Sequence, residues 1–206
     1  MRIDHVVLGS RDLKATAERF LSEHGLASVE GGRHAAWGTA NRIVPLGDDY
    51  VEFLAVVDRP VADASRFGRF LIDLTAQGDR WFTVCVADDD IDGTAARLGL
   101  AVEPGARRRP DGTEVRWRGA GLEDPKREPW LPFFIQWQVP PDAYPGRMRA
   151  DHSVEARGLA WVEMTGDEER LRSWLGNDLP SIRVRGGGEP GISAVGLTTD
   201  VGEIVL

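Results

Sequence analysis

A histidine and a glutamate stand out because each interrupts an otherwise apolar strand. His5 lies in the run 3–8, and Glu52 lies in the run 50–55. A histidine and a carboxylate that meet in an apolar cleft can act as general acid and base. They can also bind a metal ion or form a structural polar pair. The residues alone leave these three interpretations open.

Strand alternation predicts which side chains accompany these two residues. Successive side chains of a strand point to opposite faces. His5 is therefore expected to share a face with Ile3 and Val7, opposite Asp4, Val6 and Leu8. Glu52 is expected to share a face with Tyr50 and Leu54. Both polar groups are thus predicted to lie on an inner face, opposite the residues that pack under a helix.

The composition limits the classes of partner and the compartment. Of the 206 residues 42% are apolar, and the formal net charge is −8. Nucleic-acid binding needs a basic face, so this charge argues against it. No stretch approaches the roughly 20 apolar residues of a membrane-spanning helix. The first residues lead straight into a strand without signal-peptide features. The single cysteine, Cys85, suits a reducing compartment, so we expect a cytoplasmic protein.

One strand–helix pattern recurs three times at a fixed offset. His5, Thr83 and Trp161 hold the same place in it, and their numbers differ by 78 at each step. Repeated units of this size bury their apolar faces by packing on one another. The repeat therefore predicts the architecture and the place of a pocket, but not the occupant of that pocket.

The elements around the repeats predict the domain organisation. Turn signals and periodicity favour two βαβββ modules at about residues 2–57 and 81–139, joined by a helical connector at 60–78. Together they form one predicted domain over residues 1–140. Residues 157–206 are predicted to form a third, partial βαββ module packed on that domain.

Arginines cluster at a predicted hairpin turn. Arg107, Arg108 and Arg109 precede the turn, and Arg116 and Arg118 follow it. A run of like charges is typical of a solvated hairpin flank, and the pattern favours that interpretation. The alternative is an anchor for an anionic substrate, because guanidinium groups match carboxylates and phosphates.

Several separated segments resemble the glyoxalase-like domain family of the vicinal oxygen chelate (glyoxalase/bleomycin-resistance/dioxygenase) superfamily. The segments are 3–8, 31–42, 107–113 and 131–137. The resemblance implies an α+β fold in which paired βαβββ modules curl their mixed sheets around a cleft. This superfamily contains isomerases, lyases, dioxygenases and metal-free binding proteins, so the fold does not select an activity.

The resemblance also implies a set of site residues. In metal-dependent members the ligands come from the first and fourth strands of the modules. That maps to His5 and Glu52 as ligands or catalytic residues, with Gln136 as a weak third ligand. Thr83, at the remaining place, is a poor ligand. Catalytic zinc or iron sites need about three protein ligands. Two outcomes therefore stay open, namely one divalent metal ion (Zn, Fe, Mn or Ni) and no metal.

A further set of residues is expected to contact the substrate. His34, Trp37, Asn41 and Arg42 lie in a segment that carries the resemblance, and Gln136 lies in another. An aromatic wall, an amide and a cation can orient a polar ligand. The alternative for these residues is strand packing and loop pinning. His34 would supply a missing imidazole if its strand borders the cleft.

The sequence therefore predicts a protein that binds a small polar organic molecule in a sheet-lined cleft. As an enzyme, it would be a lyase, isomerase or dioxygenase in which a metal, or His5 and Glu52, assists proton transfer beside a carbonyl or diol. The alternative is a metal-free protein that binds or sequesters a small molecule, similar to drug-resistance members. The third module would either cover the cleft or supply a homodimer surface.

Overall fold

The computed structural model describes residues 1–176 and 179–206, which fold into five α-helices and two β-sheets. Eight strands close into a barrel. They are β1 (Arg2–Gly9), β2 (Val29–His34), β3 (Thr39–Pro45), β4 (Tyr50–Val56), β5 (Arg80–Ala87), β6 (Val102–Arg108), β7 (Glu114–Ala120) and β8 (Phe133–Trp137). Their order around the barrel is β1-β4-β3-β2-β6-β7-β8-β5, so each predicted module supplies four adjacent strands. The predicted α+β fold of paired βαβββ modules is confirmed.

The barrel closes because the two modules pair at both sides. β1 and β5 run antiparallel, with His5 opposite Cys85 and Val7 opposite Thr83. β2 and β6 meet at Arg33 and Arg108. The predicted cleft is therefore the interior of a closed barrel.

Each module has one helix on the outside of the barrel, and the connector forms two more. α1 (Leu13–His24) follows β1, and α4 (Ile91–Leu98) follows β5. Both helices end at a glycine in the left-handed conformation, which only glycine adopts without strain. The connector contains α2 (Arg59–Ala64) and α3 (Arg66–Leu74). No helix within the described residues is long and apolar enough to cross a membrane.

The C-terminal residues form a second sheet that differs in topology from the modules. Its elements are β9 (Ala156–Thr165), α5 (Glu168–Leu175), β10 (Ile182–Arg185), β11 (Gly191–Thr199) and β12 (Gly202–Val205). The strand order is β10-β9-β11-β12. The first strand of this unit, β9, therefore lies between two strands of its own unit, β10 and β11. In the barrel, β1 lies between β4 of its own module and β5 of the other module. The third unit repeats the element sequence without repeating the pairing.

Two apolar cores lie on opposite sides of the barrel wall. The outer core joins β1, β5 and β8 to the helices and to the second sheet, and it includes Val6, Phe134 and Val162. The inner core lines the barrel and includes Leu54 and Phe67. The second sheet packs on the outside of the wall, so it does not cover the barrel interior.

Candidate functional site

The barrel interior contains a narrow pocket with a cavity volume of about 50 Å³, part of it open to solvent. Its lining side chains are His5, Val7, His34, Trp37, Asn41, Tyr50, Glu52, Leu54, Phe67, Phe82, Thr83, Arg107, Trp117, Leu122, Phe133, Ile135 and Trp137. All of them belong to the two modules and the connector.

Five of the seven predicted site residues line this pocket together. They are His5, His34, Trp37, Asn41 and Glu52. Arg42 follows Asn41 on β3 and so faces the other side of the strand. Its guanidinium donates to the Ser28 hydroxyl at 2.9 Å and to the Ser28 carbonyl at 2.6 Å. Arg42 therefore holds the entry to β2 and lies outside the pocket.

Gln136 also lies outside the pocket, and the pairing register explains why. On β4 Glu52 lies opposite Val7, and on β8 Phe133 lies opposite Cys85, which follows Val7 by the same offset of 78. Phe133, and not Gln136, is therefore the second-module counterpart of Glu52. Alternation turns Gln136 outward. Its amide donates to the Asp89 carbonyl at 2.8 Å.

His5 lies between two carboxylates in the wall of the pocket. Its Nδ1 is 2.7 Å from Asp4 Oδ1, and its Nε2 is 3.3 Å from Glu52 Oε2. His5 is only 2% exposed. The Tyr50 ring stacks on the imidazole with a centroid separation of 4.4 Å. This row of Asp4, His5 and Glu52 is the polar centre of the pocket.

A β-bulge creates this row and overturns part of the predicted face pattern. Ile3 pairs with Val86 and His5 pairs with Cys85, so Asp4 is an extra residue on β1. A bulge reverses the alternation beyond it. Ile3 therefore faces the outer core instead of sharing a face with His5. Asp4 is turned toward the imidazole that follows it.

Asp4 is held by Trp137 at the end of β8 and by the segment that follows it. Two short 3₁₀ turns, Pro141–Ala143 and Pro145–Arg147, flank Tyr144. The Tyr144 hydroxyl lies 3.1 Å from Asp4 Oδ2, and the Trp137 indole N–H donates to the same oxygen at 3.0 Å. Buried carboxylates are stable when such donors satisfy them.

The charges of the row follow from these contacts. Burial disfavours a charge on His5, but the Cys85 sulfur and the hydrogen bonds to Asp4 and Glu52 outweigh it and raise the pKa of His5 well above its usual value. Burial raises the pKa of Cys85 to about 12, so its thiol is neutral at pH 7. At that pH the raised pKa of His5 is therefore due to Asp4 and Glu52. Burial alone would raise the pKa of Glu52, yet His5, His34 and Asn41 lower it to about 2.

The donor set does not fit a three-ligand metal site facing the pocket. His5 Nε2 and Glu52 Oε2 are spaced as two ligands of one ion would be, roughly 3.3 Å for tetrahedral bonds of about 2.0 Å. Their second-module counterparts are Thr83 and Phe133, which supply no strong ligand. The one group of three His, Cys, Asp or Glu donors within 4.8 Å, among the described residues, is Asp4, His5 and Cys85. That group is buried in the wall, and its carboxylate–imidazole contact of 2.7 Å is a hydrogen bond.

Asn41 presents an unpaired acceptor beside the row. Its Nδ2 donates to Glu52 Oε1 at 2.6 Å. Glu52 is ionised and can only accept, so the amide nitrogen must face it. The amide oxygen is then left without a hydrogen-bond partner among the described residues, although it is buried. Gly31 allows this position, because a Cβ there would lie 2.2 Å from Asn41 Oδ1.

Arg107 is a pocket residue that the favoured sequence interpretation placed outside the site, whereas the alternative made it an anchor for an anionic substrate. It was predicted to belong to a solvated hairpin flank, but it is 3% exposed and lines the pocket. Its Nη1 donates to the Gly31 carbonyl, and its Nη2 has no partner among the described residues. Position 107 alternates with the exposed Arg108 on β6. That alternation was the available signal, and the charge run obscured it.

The remaining predicted histidine, His34, is neutral. Burial lowers the pKa of His34 to about 4, with Glu52 opposing and Arg107 reinforcing the shift. Its Nδ1 lies 3.1 Å from the Thr39 hydroxyl. Trp37 lies 5.2 Å from the imidazole and contacts Phe67 of α3. His34 is therefore a buried polar group in the pocket wall and is not adjacent to His5.

Paired βαβββ modules that close around an internal pocket define this protein as an α+β barrel. A sequence model of the glyoxalase-like domain matches residues 3–179. The chain therefore belongs to the glyoxalase-like domain family. No curated protein sequence matches it at a significant level.

One solved structure shows the same fold at low sequence identity, and two others are similar over part of the chain. A hypothetical protein from Staphylococcus aureus has a TM-score of 0.72 at 16% identity, and the alignment covers 92% of this chain and 88% of that one. A methylmalonyl-CoA epimerase variant from Streptomyces coelicolor, in complex with 2-nitronate-propionyl-CoA, has a TM-score of 0.49 at 20% identity, covering 68% of this chain and 96% of that one. The epimerase from Mycobacterium tuberculosis has a TM-score of 0.45 at 20% identity, covering 65% and 85%.

Proposed function

We propose that this protein binds a small organic molecule inside the barrel and needs no metal ion to do so. The observation that supports this is the distribution of polarity around the wall. Five consecutive strands each contribute one polar or charged side chain, namely His5 from β1, Glu52 from β4, Asn41 from β3, His34 from β2 and Arg107 from β6. We call this set the polar arc.

The rest of the wall is mainly apolar and aromatic. β7, β8, β5 and α3 supply Trp117, Phe133, Ile135, Trp137, Phe82 and Phe67. Apolar walls with a few convergent polar groups are typical of ligand pockets. A bound molecule would place its apolar body on these side chains and its polar atoms on the polar arc.

The charge state of the row favours binding over proton abstraction. A general base works best when its pKa lies near the working pH. The pKa of Glu52 is about 2 and the pKa of His5 is raised, so the pair is an imidazolium and a carboxylate at pH 7. Such a pair presents fixed charges to a ligand and is a weak base.

The tryptophans provide a direct test of binding. The indole N–H signals of Trp117 and Trp137 report on the pocket, whereas Trp161 and Trp174 lie in the outer parts of the fold. Titration of a fragment library against ¹⁵N-labelled protein should shift the first two signals and leave the last two in place. Fragments that shift all four equally, or none, would contradict the proposal.

A second candidate, proton transfer next to a carbonyl, is supported by the Asp4–His5–Glu52 row. A carboxylate oriented by an imidazole, which is itself oriented by a second carboxylate, is an arrangement used in acid–base catalysis. Exchange of the α-protons of 2-oxo acids and acyl thioesters in D₂O would detect such an activity. We expect Glu52→Gln to lower a real exchange rate at least 100-fold. Equal rates for wild type and variant would remove this candidate.

A further inference from the structure

The Arg107 guanidinium is a buried cation without a counter-ion. It is 3% exposed, and none of the ion pairs among the described residues includes it. Among the described residues, its side chain makes one hydrogen bond, from Nη1 to the neutral Gly31 carbonyl. Buried charges are normally paired, so an unpaired one inside a pocket indicates a missing partner.

The nearest acidic group in the pocket is already satisfied. Glu52 accepts a hydrogen bond from Asn41 at 2.6 Å and lies 3.3 Å from the His5 imidazole. Glu52 is therefore satisfied by Asn41 and His5, and no hydrogen bond or ion pair joins it to Arg107 among the described residues. Burial lowers the pKa of Arg107, with Tyr50 and Glu52 opposing the shift, which is the response of a cation that lacks a close anion.

A second unpaired group lies beside the same glycine. A Cβ on Gly31 would lie 2.2 Å from Asn41 Oδ1 and 2.9 Å from Arg107 Nη1. Among the described residues, Asn41 Oδ1 is a buried acceptor and Arg107 Nη2 is a buried donor, and neither has a hydrogen-bond partner. Both side chains therefore pack at Gly31 and line the same pocket.

From this juxtaposition we infer that Arg107 and Asn41 form a subsite for a carboxylate that carries a neighbouring hydroxyl or amine. Arg107 Nη2 donates to the carboxylate, and Asn41 Oδ1 accepts from the neighbouring O–H or N–H group. The inference rests on the proposed binding function and names the class of ligand, an organic acid with an apolar or aromatic body.

The surroundings favour a monoanion over a phosphate ester. Arg107 is the one cation of the polar arc without an ion-pair partner among the described residues, since His5 contacts Asp4 and Glu52. A dianion would leave one negative charge unbalanced next to the Glu52 carboxylate, and such like-charge contacts are unfavourable in a buried site.

Matched probes test this inference on the full-length protein. Salicylate carries both a carboxylate and an adjacent hydroxyl, benzoate carries only the carboxylate, and benzamide is a neutral analogue. Phenyl phosphate tests the dianion. By isothermal titration calorimetry we expect salicylate to bind at least tenfold more tightly than benzamide, with benzoate between them and phenyl phosphate weaker than benzoate.

Variants then test whether Arg107 causes the preference for salicylate over benzamide. Arg107→Met should weaken salicylate binding at least tenfold and benzamide binding by a much smaller factor, and Arg107→Lys should restore part of the affinity for salicylate. Arg108→Met is the matched control, because Arg108 is the next residue on β6 but its side chain is 70% exposed. Circular dichroism spectra check that each variant is folded.

The outcomes separate this inference from the proposed function. If wild type binds benzamide and salicylate equally well, the pocket is a binding site but the carboxylate subsite is wrong. If Arg107→Met and Arg108→Met reduce salicylate binding equally, the cation acts from the surface and the subsite is also wrong. If none of the probes binds and the fragment library leaves the pocket tryptophans unshifted, both the subsite and the proposed function fail.

Discussion

The neutral state of His34 in the pocket wall leads to a quantitative prediction about the free energy of unfolding. Burial lowers the pKa of His34 from 6.5 to about 4 in the folded protein. Below pH 6.5 the unfolded chain therefore binds a proton that the folded protein does not bind until about pH 4. Stability that depends on neutral His34 is present above pH 6.5 and is lost as the pH falls toward 4. Replacing His34 by glutamine should remove that loss.

The magnitude follows from the two pKa values. Each unit of difference between the pKa values of the folded and unfolded states corresponds to about 1.4 kcal/mol of unfolding free energy, once the group is protonated in one state and not in the other. At pH 5 the unfolded chain is almost fully protonated at this residue and the folded protein is about one-tenth protonated. The linkage contribution of His34 is then about 2 kcal/mol of lost stability relative to pH 7.5.

Urea unfolding followed by tryptophan fluorescence at pH 7.5 and pH 5 measures this contribution. The lower limit of pH 5 avoids Glu52, whose pKa of about 2 makes its own stabilisation decline only below about pH 4.5. His5 is retained in both proteins, so its contribution cancels in the comparison. We expect wild type to lose about 2 kcal/mol more than His34→Gln over this interval.

A control variant keeps the titrating group and disturbs the same place. Thr39→Val removes the hydroxyl that lies 3.1 Å from His34 Nδ1 but retains the imidazole. It should be less stable than wild type at both pH values and show the same dependence on pH. Parallel behaviour of wild type and His34→Gln, within about 0.5 kcal/mol, would refute the assignment of a buried neutral imidazole.

Three further substitutions test other parts of the fold. Gly31→Ala places a Cβ against Asn41, so we expect it to cost about 1–3 kcal/mol in urea unfolding and to weaken salicylate binding. The control Gly186→Ala, with no atom within 4 Å of its Cβ, should change the free energy of unfolding by less than about 0.5 kcal/mol. Equal costs would contradict the close packing at Gly31. Trp174→Ala removes a buried side chain that donates to the Pro132 carbonyl at 2.9 Å, so we expect a loss of about 3–5 kcal/mol of unfolding free energy. A much smaller loss would mean that α5 contributes little to the outer core. Tyr144→Phe removes a hydroxyl 3.1 Å from Asp4, which should cost about 2 kcal/mol by the same assay, and an unchanged midpoint would show that Asp4 is satisfied without it.

The fold was predictable because its signals are local and repeated. Alternation on β1, β4 and β5, the glycine at the end of α1 and α4, and the offset of 78 each depend on short stretches of sequence. The same local rules placed Glu52, Tyr50 and Leu54 on the pocket face, where all three line the barrel. Such patterns follow from the two-residue period of a strand and need no knowledge of distant contacts.

The errors arose where pairing between distant strands sets the geometry. Gln136 was assigned as the counterpart of Glu52, but the pairing of β8 with β5 gives that place to Phe133. Ile3 was assigned to the inner face, but the bulge at Asp4 turns it outward. A one-residue difference in register moves a side chain through the wall of a barrel, and no local pattern reports it.

The sequence by itself determined the modules, the position of His5 and Glu52 on inner faces, and the family. Local periodicity and helix caps are encoded within a few residues, so the predictions that depend on them agree with the structure. Only the tertiary structure decided that the barrel closes, that Asp4 and Tyr144 meet at His5, and that Arg107 is buried without an ion-pair partner among the described residues. These features depend on contacts between residues up to 140 positions apart, and burial of a charge is a property of the assembled wall and not of the charged residue.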